Sequence, residues 1–305
     1  NTVPMKKTCL LNLVLLSVTF IYCQPPNQAN TLLWRISGKG LTKPSYLYGT
    51  MHLADKRLFQ LGDSVYNAIE QTEGFATELD FNRLGTQMIN HVMAERGQQE
   101  NNTSVLLKER VSAEIWDKYK KQLGEKFKKD YNEITVDELD ARESKLKMSL
   151  FKKGDMPTFL DAWLAGLAKK QGKWVGGIED LEDQLYLEED AEEKIQTILF
   201  DEYYDGSTDW FIKAYANQRL DIIDSVMYRS ENGKKDFIMI RRNLKMARRM
   251  DSLAAMRSMV FAVGAAHLPG DSGVIALLKS RGFTVTPVVS AKRITPEKYN
   301  LKEGS

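Results

Sequence analysis

Cysteine and histidine are scarce in this sequence, whose 305 residues include two Cys and three His. This small number of cysteines and histidines, with their spacing, excludes a Cys-rich zinc site, a CxxC redox pair and an HExxH helix. Both cysteines lie near the N-terminus, at Cys9 and Cys23, so we expect no disulfide in the folded domain. Metal or acid–base chemistry must therefore rest on carboxylates together with His52, His91 and His267.

An excess of one charge is lacking as well. The chain has 43 Lys and Arg against 41 Asp and Glu, a formal net charge of +2. A nearly neutral chain has no electrostatic reason to bind bulk nucleic acid or an anionic membrane surface, so neither is an expected partner. With 43% hydrophobic and 28% charged residues, the composition is typical of a folded globular protein. The length fits one large domain or two small ones.

The N-terminal segment predicts export. A Lys pair at 6–7 precedes an apolar run from Cys9 to Cys23, and a Pro pair at 25–26 follows it. A basic head, an apolar stretch of about 15 residues and a polar exit are typical of a secretory signal peptide, because a membrane span needs about 20. The alternative is a buried core helix, which the flanking lysines and prolines disfavour. Residues 1–29 are thus predicted to be a signal peptide or lipoprotein leader of a periplasmic or extracellular protein.

Acylation of Cys23 is the lipoprotein alternative. The segment Phe20–Cys23 resembles a degenerate lipoprotein site, although Tyr22 is bulky where a small residue is expected. A lipid on Cys23 would be the only expected membrane contact. Removal of the leader would remove two lysines and leave a mature domain with no net charge.

Short apolar segments alternate with long helical patterns in the rest of the chain. Strands are predicted at 32–37, 46–48, 75–79, 174–178, 259–263 and 283–289. Helices are predicted at 58–72, from 157, across 181–251 and at 272–281. The last strand–helix–strand unit predicts a parallel pair with a right-handed crossover. We expect an α/β domain over 30–290 with a mixed, largely parallel sheet, a charged helical insertion at about 81–170 and a frayed tail at 291–305.

Two of the three histidines occupy the same local context. His52 follows Tyr46–Gly49 and His267 follows Phe261–Gly264, and each closes an apolar strand in a Gly-x-x-His-Leu sequence. Glycine at a strand end lets the backbone turn or approach a ligand closely, and ligands gather at the carboxyl edge of parallel strands. A single GxxH is weak evidence, but the repeated motif predicts that both histidines reach one site. His91 lies in a helical region and is predicted to be a surface or helix-packing residue.

Two carboxylates also end apolar strands, Glu78 after 75–77 and Glu179 after 175–178. Two imidazoles and one or two carboxylates at strand ends would form a three-ligand site for a divalent metal ion, with an open position for water. The alternative interpretation makes these glutamates helix N-caps or first-turn charges, especially Glu179. A further alternative is a catalytically silent scaffold whose histidines only cap strands.

The chain resembles the TraB/GumN/Tiki family over about 32–290. The blocks that carry the resemblance are Leu33–Gly38, Pro44–His52, Thr77–Asp80, Gly177–Glu179 with Gln184, Arg242–Asn243 and Gly264–Gly270. Each block alone is weak, and their common order makes the set specific. Arg241 departs from the pattern, since members often have an acidic residue there.

The resemblance implies a fold like that of erythromycin esterases and ChaN-type haem-binding proteins, and a site built from both GxxH histidines and a glutamate. Tiki members are described as metal-dependent proteases that prefer manganese or cobalt. The expected function is an exported metal-dependent peptidase with His52, Glu78 and His267 as ligands of a Mn, Co or Zn ion. Glu179 would be a further ligand or the general base. Arg242 would stabilise an oxyanion or hold a substrate carboxylate that Asn243 orients.

The rival hypothesis is a non-catalytic protein that uses the same cleft to bind haem, a metal or a peptide signal. The sequence does not indicate the substrate or the oligomeric state.

Overall fold

The computed structural model describes residues 30–87, 89, 105–148, 154–185, 195, 198–199, 207–227 and 234–303. The predicted leader, both cysteines and His91 lie outside these ranges. In the described ranges, no helix is long and apolar enough to cross a membrane.

The predicted α/β class with a mostly parallel sheet is confirmed. The strands are β1 (Leu33–Gly38), β2 (Ser45–Thr50), β3 (Leu61–Gly62), β4 (Gly74–Thr77), β5 (Trp174–Gly177), β6 (Met259–Gly264), β7 (Phe283–Pro287) and β8 (Arg293–Ile294). The helices are α1 (Asp63–Gln71), α2 (Ala113–Phe127), α3 (Val136–Met148), α4 (Leu160–Lys170), α5 (Leu181–Leu185), α6 (Ser207–Ala216), α7 (Leu220–Met227), α8 (Lys234–Met256), α9 (Val274–Ser280) and α10 (Pro296–Glu303).

The main sheet has six strands in the order β5-β4-β6-β2-β1-β7. Strands β5, β4, β6 and β2 are parallel neighbours, whereas β1 is antiparallel to both β2 and β7. Helices cover the sheet, and β6 is buried along its whole length, as expected for a parallel strand in the middle of a sheet. Because β2, β6 and β4 are parallel and adjacent, their carboxyl ends lie side by side at one edge.

The closing strand–helix–strand unit differs from the prediction. Strands β6 and β7 run in the same direction, but β2 and β1 lie between them, so they are not a hydrogen-bonded pair. The crossover through α9 therefore spans two strands rather than joining neighbours.

The helical insertion has its own small core. Helices α2 and α3 contribute to a second cluster of buried apolar side chains that also includes two residues from beyond β5: Leu107, Tyr119, Leu123, Ile134, Leu139, Ile195 and Ile198. Helix α4, in contrast, packs on β4 and β5 and shares their core. The insertion therefore ends before α4 rather than at residue 170.

The predicted frayed tail is wrong over residues 291–299, which the structure describes as packed against the domain. Strand β8 pairs with β3 through Ile294 and Leu61. In α10, Tyr299 is 3% exposed and stacks on Tyr66 with ring centroids 4.2 Å apart. Its hydroxyl donates a 2.8 Å hydrogen bond to Glu70 Oε1. These contacts bury an aromatic side chain that the sequence pattern does not mark.

Tyr299→Ala is expected to lower the free energy of unfolding by about 3 kcal/mol, because it removes a buried aromatic ring and the stacking contact of that ring with Tyr66. Urea unfolding of the variant and the wild type measures this difference. Val289→Ala is the control, since Val289 is 75% exposed and its truncation should change the free energy by less than about 0.5 kcal/mol. If the Tyr299 variant were as stable as the wild type, the result would contradict a packed tail and support the frayed tail that the sequence predicts.

Candidate functional site

Three adjacent strand ends position the predicted site residues. His52 lies two residues beyond β2, Glu78 directly follows β4, and His267 ends a single 3₁₀ turn, Ala265–His267, that follows β6. Strand β6 is the neighbour of both β2 and β4, so all three side chains start from one edge of the sheet.

One carboxylate oxygen is shared by the two histidines. Glu78 Oε1 lies 3.6 Å from His52 Nε2 and 3.6 Å from His267 Nε2. The same oxygen accepts a 2.7 Å hydrogen bond from the backbone N–H of Gly264. The repeated GxxH motif therefore does bring both imidazoles to a single point, although the motifs are more than 200 residues apart.

Each imidazole is held from behind through its other nitrogen. His52 Nδ1 lies 2.9 Å from Asp161 Oδ2, and His267 Nδ1 lies 2.6 Å from Asn243 Oδ1. Asn243 donates its own amide N–H to the carbonyl oxygen of Ser272, which orients Oδ1 as the acceptor. A proton on each Nδ1 leaves each Nε2 to face Glu78, the arrangement found around metal-ligating histidines.

Arg242 joins the two glutamates beneath the histidines. Its Nε donates to Glu179 Oε1 at 2.9 Å, and one terminal nitrogen donates to Glu179 Oε2 at 2.7 Å and to Glu78 Oε2 at 2.9 Å. Gln184 adds hydrogen bonds to Glu78 and Glu179 at 3.1 and 3.3 Å. All three charged side chains are buried, so the guanidinium fixes Glu78 with Oε2 inward and Oε1 toward the imidazoles.

The buried charges shift the pKa values at the site. Burial alone would raise the pKa of Glu78, but His267, His52 and Arg242 outweigh it and hold that pKa well below its usual range. The charge of Asp161 raises the pKa of His52 well above 6.5, and the charge of Glu78 acts in the same direction. Burial lowers the pKa of His267 to about 4, so its imidazole is neutral at pH 7.

The donor set fits a divalent cation in separation and charge. Two ligands about 2.1 Å from one tetrahedral ion lie about 3.4 Å apart, close to the observed 3.6 Å. When both imidazoles are neutral, as ligands of a metal ion must be, the buried carboxylates of Asp161, Glu78 and Glu179 exceed the Arg242 guanidinium by two negative charges. In the part of the chain that the structure describes, no three or more His, Cys, Asp or Glu side chains form a ready-made metal-binding group. The fit therefore rests on these pairwise separations and charges.

Comparison with known proteins identifies the family. The sequence profile of the TraB/PrgY/gumN family matches residues 32–287, most of the chain. The chain belongs to the TraB/PrgY/gumN family. No curated protein and no solved structure matches the chain at a significant level.

The two GxxH glycines of this TraB/PrgY/gumN chain have different surroundings. A Cβ on Gly264 would lie 3.3 Å from Glu78 Oε1, 3.4 Å from His52 Nε2 and 3.5 Å from the His267 ring. A Cβ on Gly49 would instead meet Leu268 and Ala265 at 3.1–3.2 Å. Neither glycine has a positive φ, so close approach rather than a turn explains both. The missing side chain of Gly264 leaves space beside Glu78, His52 and His267, whereas that of Gly49 lets Leu268 and Ala265 pack closely.

The TraB/PrgY/gumN site is open on one side. The His52 side chain is 54% exposed, whereas His267 and Glu78 are 5% and 4% exposed. A substrate would therefore reach the shared oxygen past His52.

Three predicted roles differ from the observed contacts. Both oxygens of Glu179 accept hydrogen bonds from Arg242, so the geometry disfavours Glu179 as a free base or ligand. Arg242 is committed to two carboxylates, which disfavours a role in binding a substrate carboxylate. Asn243 holds His267 rather than a substrate.

Sequence reasoning missed Asp161 and Thr50. Asp161 lies in the first turn of α4, and Thr50 Oγ1 donates to its Oδ1. A signal was present, because Asp161 shares the i, i+3, i+4 stripe of Leu164 and Ala165, which are buried. A carboxylate on an apolar stripe marks a site better than one on a solvated face.

Proposed function

We propose that this chain is an exported metal-dependent hydrolase that cleaves peptide bonds, with a divalent cation held by His52, Glu78 and His267. The observation that carries the proposal is the convergence of both Nε2 atoms on Glu78 Oε1 at 3.6 Å. Peptide as the substrate class comes from the resemblance to Tiki members, and export comes from the leader-like segment at 1–29.

The residues of the chain would divide the work as follows. A bound divalent ion supplies a Lewis acid that polarises a carbonyl and lowers the pKa of water from about 15.7 toward 7. Asp161 and Asn243 keep the imidazoles turned toward the ion site through Nδ1. Arg242 fixes the direction of the Glu78 carboxylate, and together with His267 and His52 it keeps the pKa of Glu78 low. The exposed side of His52 admits the substrate, and the buried side of His267 excludes water.

Metal analysis joined to a cleavage assay tests the proposal. The purified protein, stripped with a chelator and reloaded separately with Mn²⁺, Co²⁺ or Zn²⁺, should hold about one ion per chain and cleave members of a peptide library. His52→Ala and His267→Ala should each lose the ion and the cleavage. His91→Ala is the matched control, since this third histidine is not predicted to be a ligand.

Metal retained by both the His52 and His267 variants would refute the ligand assignment. Metal lost from both variants without any cleavage by the wild type would favour the non-catalytic binding protein.

A further inference from the structure

Asp161 is a buried carboxylate that faces the site from behind. Asp161 is 2% exposed, and each of its carboxylate oxygens has a different partner. Oδ1 accepts a hydrogen bond from Thr50 Oγ1, and Oδ2 lies 2.9 Å from His52 Nδ1. Among the residues that the structure describes, His52 is the only basic side chain within ion-pair distance of Asp161. Burial of a carboxylate is unfavourable unless hydrogen bonds compensate for its lost hydration. The contacts with Thr50 and His52 must therefore stabilise the buried carboxylate of Asp161.

Helix stabilisation does not explain Asp161. A carboxylate in a first turn can interact with the helix dipole, and Asp161 is in the first turn of α4. However, the N-cap of α4 is Phe159, and no side chain caps the helix. Both oxygens of Asp161 are bonded instead to side chains that follow or end β2.

The backbone fixes Asp161 relative to the loop that carries His52. Met156 N–H donates to the carbonyl oxygen of Ala54 at 2.8 Å, and Leu160 N–H donates to that of Leu53 at 3.3 Å. These two bonds connect the segment that enters α4 with the residues that directly follow His52. The carboxylate and the imidazole are therefore held on one backbone frame.

We propose that Asp161 is a positioning residue that keeps the proton of His52 on Nδ1 and turns Nε2 toward Glu78 Oε1. The use of that Nε2 as a metal ligand rests on the function proposed above, whereas the orientation itself does not. The His52 side chain is 54% exposed, so its surroundings enclose it less than they enclose His267, and the charge-assisted hydrogen bond to Asp161 holds its ring. The buried His267 needs only the neutral amide of Asn243.

The Nδ1–H resonance of His52 reports the orientation directly in metal-free protein. We expect ¹⁵N-edited NMR to show a slowly exchanging Nδ1–H signal that is absent in His52→Ala. Asp161→Ala should lose this signal, and Asp161→Asn should keep it, since the amide oxygen still accepts. A signal unchanged in Asp161→Ala would overturn the proposal. If the Ala variant does not fold, Asp161→Leu, which fills the same volume without an acceptor, should lose the signal, and a signal retained in Asp161→Leu would overturn the proposal.

Zinc affinity, measured by chelator competition, gives a second readout. Asp161→Ala should bind Zn²⁺ about 10–100-fold more weakly than the wild type, with partial rescue in Asp161→Asn. Asp63→Asn is the matched control, because Asp63 is a first-turn carboxylate of α1 whose Oδ1 accepts from the backbone N–H groups of residues 291 and 292. The zinc affinity of this variant should be unchanged.

Equal zinc affinity in the Asp161 variants and the wild type would overturn the positioning role at the ion. A wild type that binds none of Zn²⁺, Mn²⁺ and Co²⁺ would refute the proposed function instead, and the Nδ1–H signal would still decide the orientation of His52.

Discussion

Gly264→Ala is expected to abolish ion binding while the protein stays folded. Gly264 has φ −50° and ψ 132°, a conformation that alanine adopts without strain. The added methyl group would lie 3.3–3.5 Å from Glu78, His52 and His267, a tight contact that shifts of a few tenths of an ångström in these side chains relieve in the metal-free protein. An ion about 2.1 Å from each donor would lie far inside the contact distance of that methyl group. We therefore expect at least a 100-fold loss of affinity, which is about 2.7 kcal/mol.

Calorimetric titration with Zn²⁺ and thermal unfolding measure this prediction together. The Gly264 variant should unfold near the wild-type temperature without metal, and added ion should no longer raise that temperature. Gly49→Ala is the reciprocal control, because its methyl group would overpack Leu268 and Ala265 and cost about 1–3 kcal/mol of stability with ion binding retained. Wild-type affinity in Gly264→Ala would show that the shared oxygen is not where the ion binds.

Arg242→Met is expected to destabilise the protein by about 3–5 kcal/mol, because breaking a buried ion pair from one side leaves uncompensated charge. Methionine fills much of the same volume, so the loss is mainly that of the guanidinium. Glu78 and Glu179 are 4% and 0% exposed, so water cannot replace the lost hydrogen bonds. Urea unfolding at pH 7 measures the loss, and Arg248→Met on the exposed side of the same helix is the control.

The pH dependence gives the sign of the Arg242 effect. The cationic neighbours of Glu78 lower its folded-state pKa, so its ionised form stabilises the wild type above the unfolded value of about 4.3. That contribution is lost as the pH falls toward the folded-state pKa. The deficit of Arg242→Met should therefore shrink as the pH falls below about 4.3, when Glu78 of the variant can be protonated. A deficit that is constant with pH would indicate lost packing rather than lost charge.

The six strands of the main sheet were predictable, because each is a short apolar segment with glycine or proline at or near an end, whereas the two-residue strands β3 and β8 were not predicted. The order of these strands was not, since β6 and β7 are neighbours in sequence but not in the sheet. That order depends on which apolar faces pack together across the whole chain. The packed tail was hidden for a similar reason, because the sequence around Tyr299 is polar and its single buried ring gives no periodic pattern.

The candidate site was predictable where a residue repeated a local context, as His52 and His267 do. Glu78 was found because it ends a strand. Asp161 was not found, because a charged residue near a helix start has an ordinary explanation and only the buried stripe distinguishes it. The contacts of Arg242 depend on the meeting of β4, β5 and α8, which no local pattern encodes.

The position of β6 between β2 and β4 also determines when the site residues can come together during synthesis. His52 and Glu78 leave the ribosome early, but β6 lies between β2 and β4, and its residues 259–264 come more than 180 positions after Glu78. Pairing at such sequence separation closes late, since the long intervening chain must be ordered first. His267 follows three residues after β6. The centre is therefore assembled in one late step, and a nascent or truncated chain that lacks its last strands carries two of the three donors without holding them together.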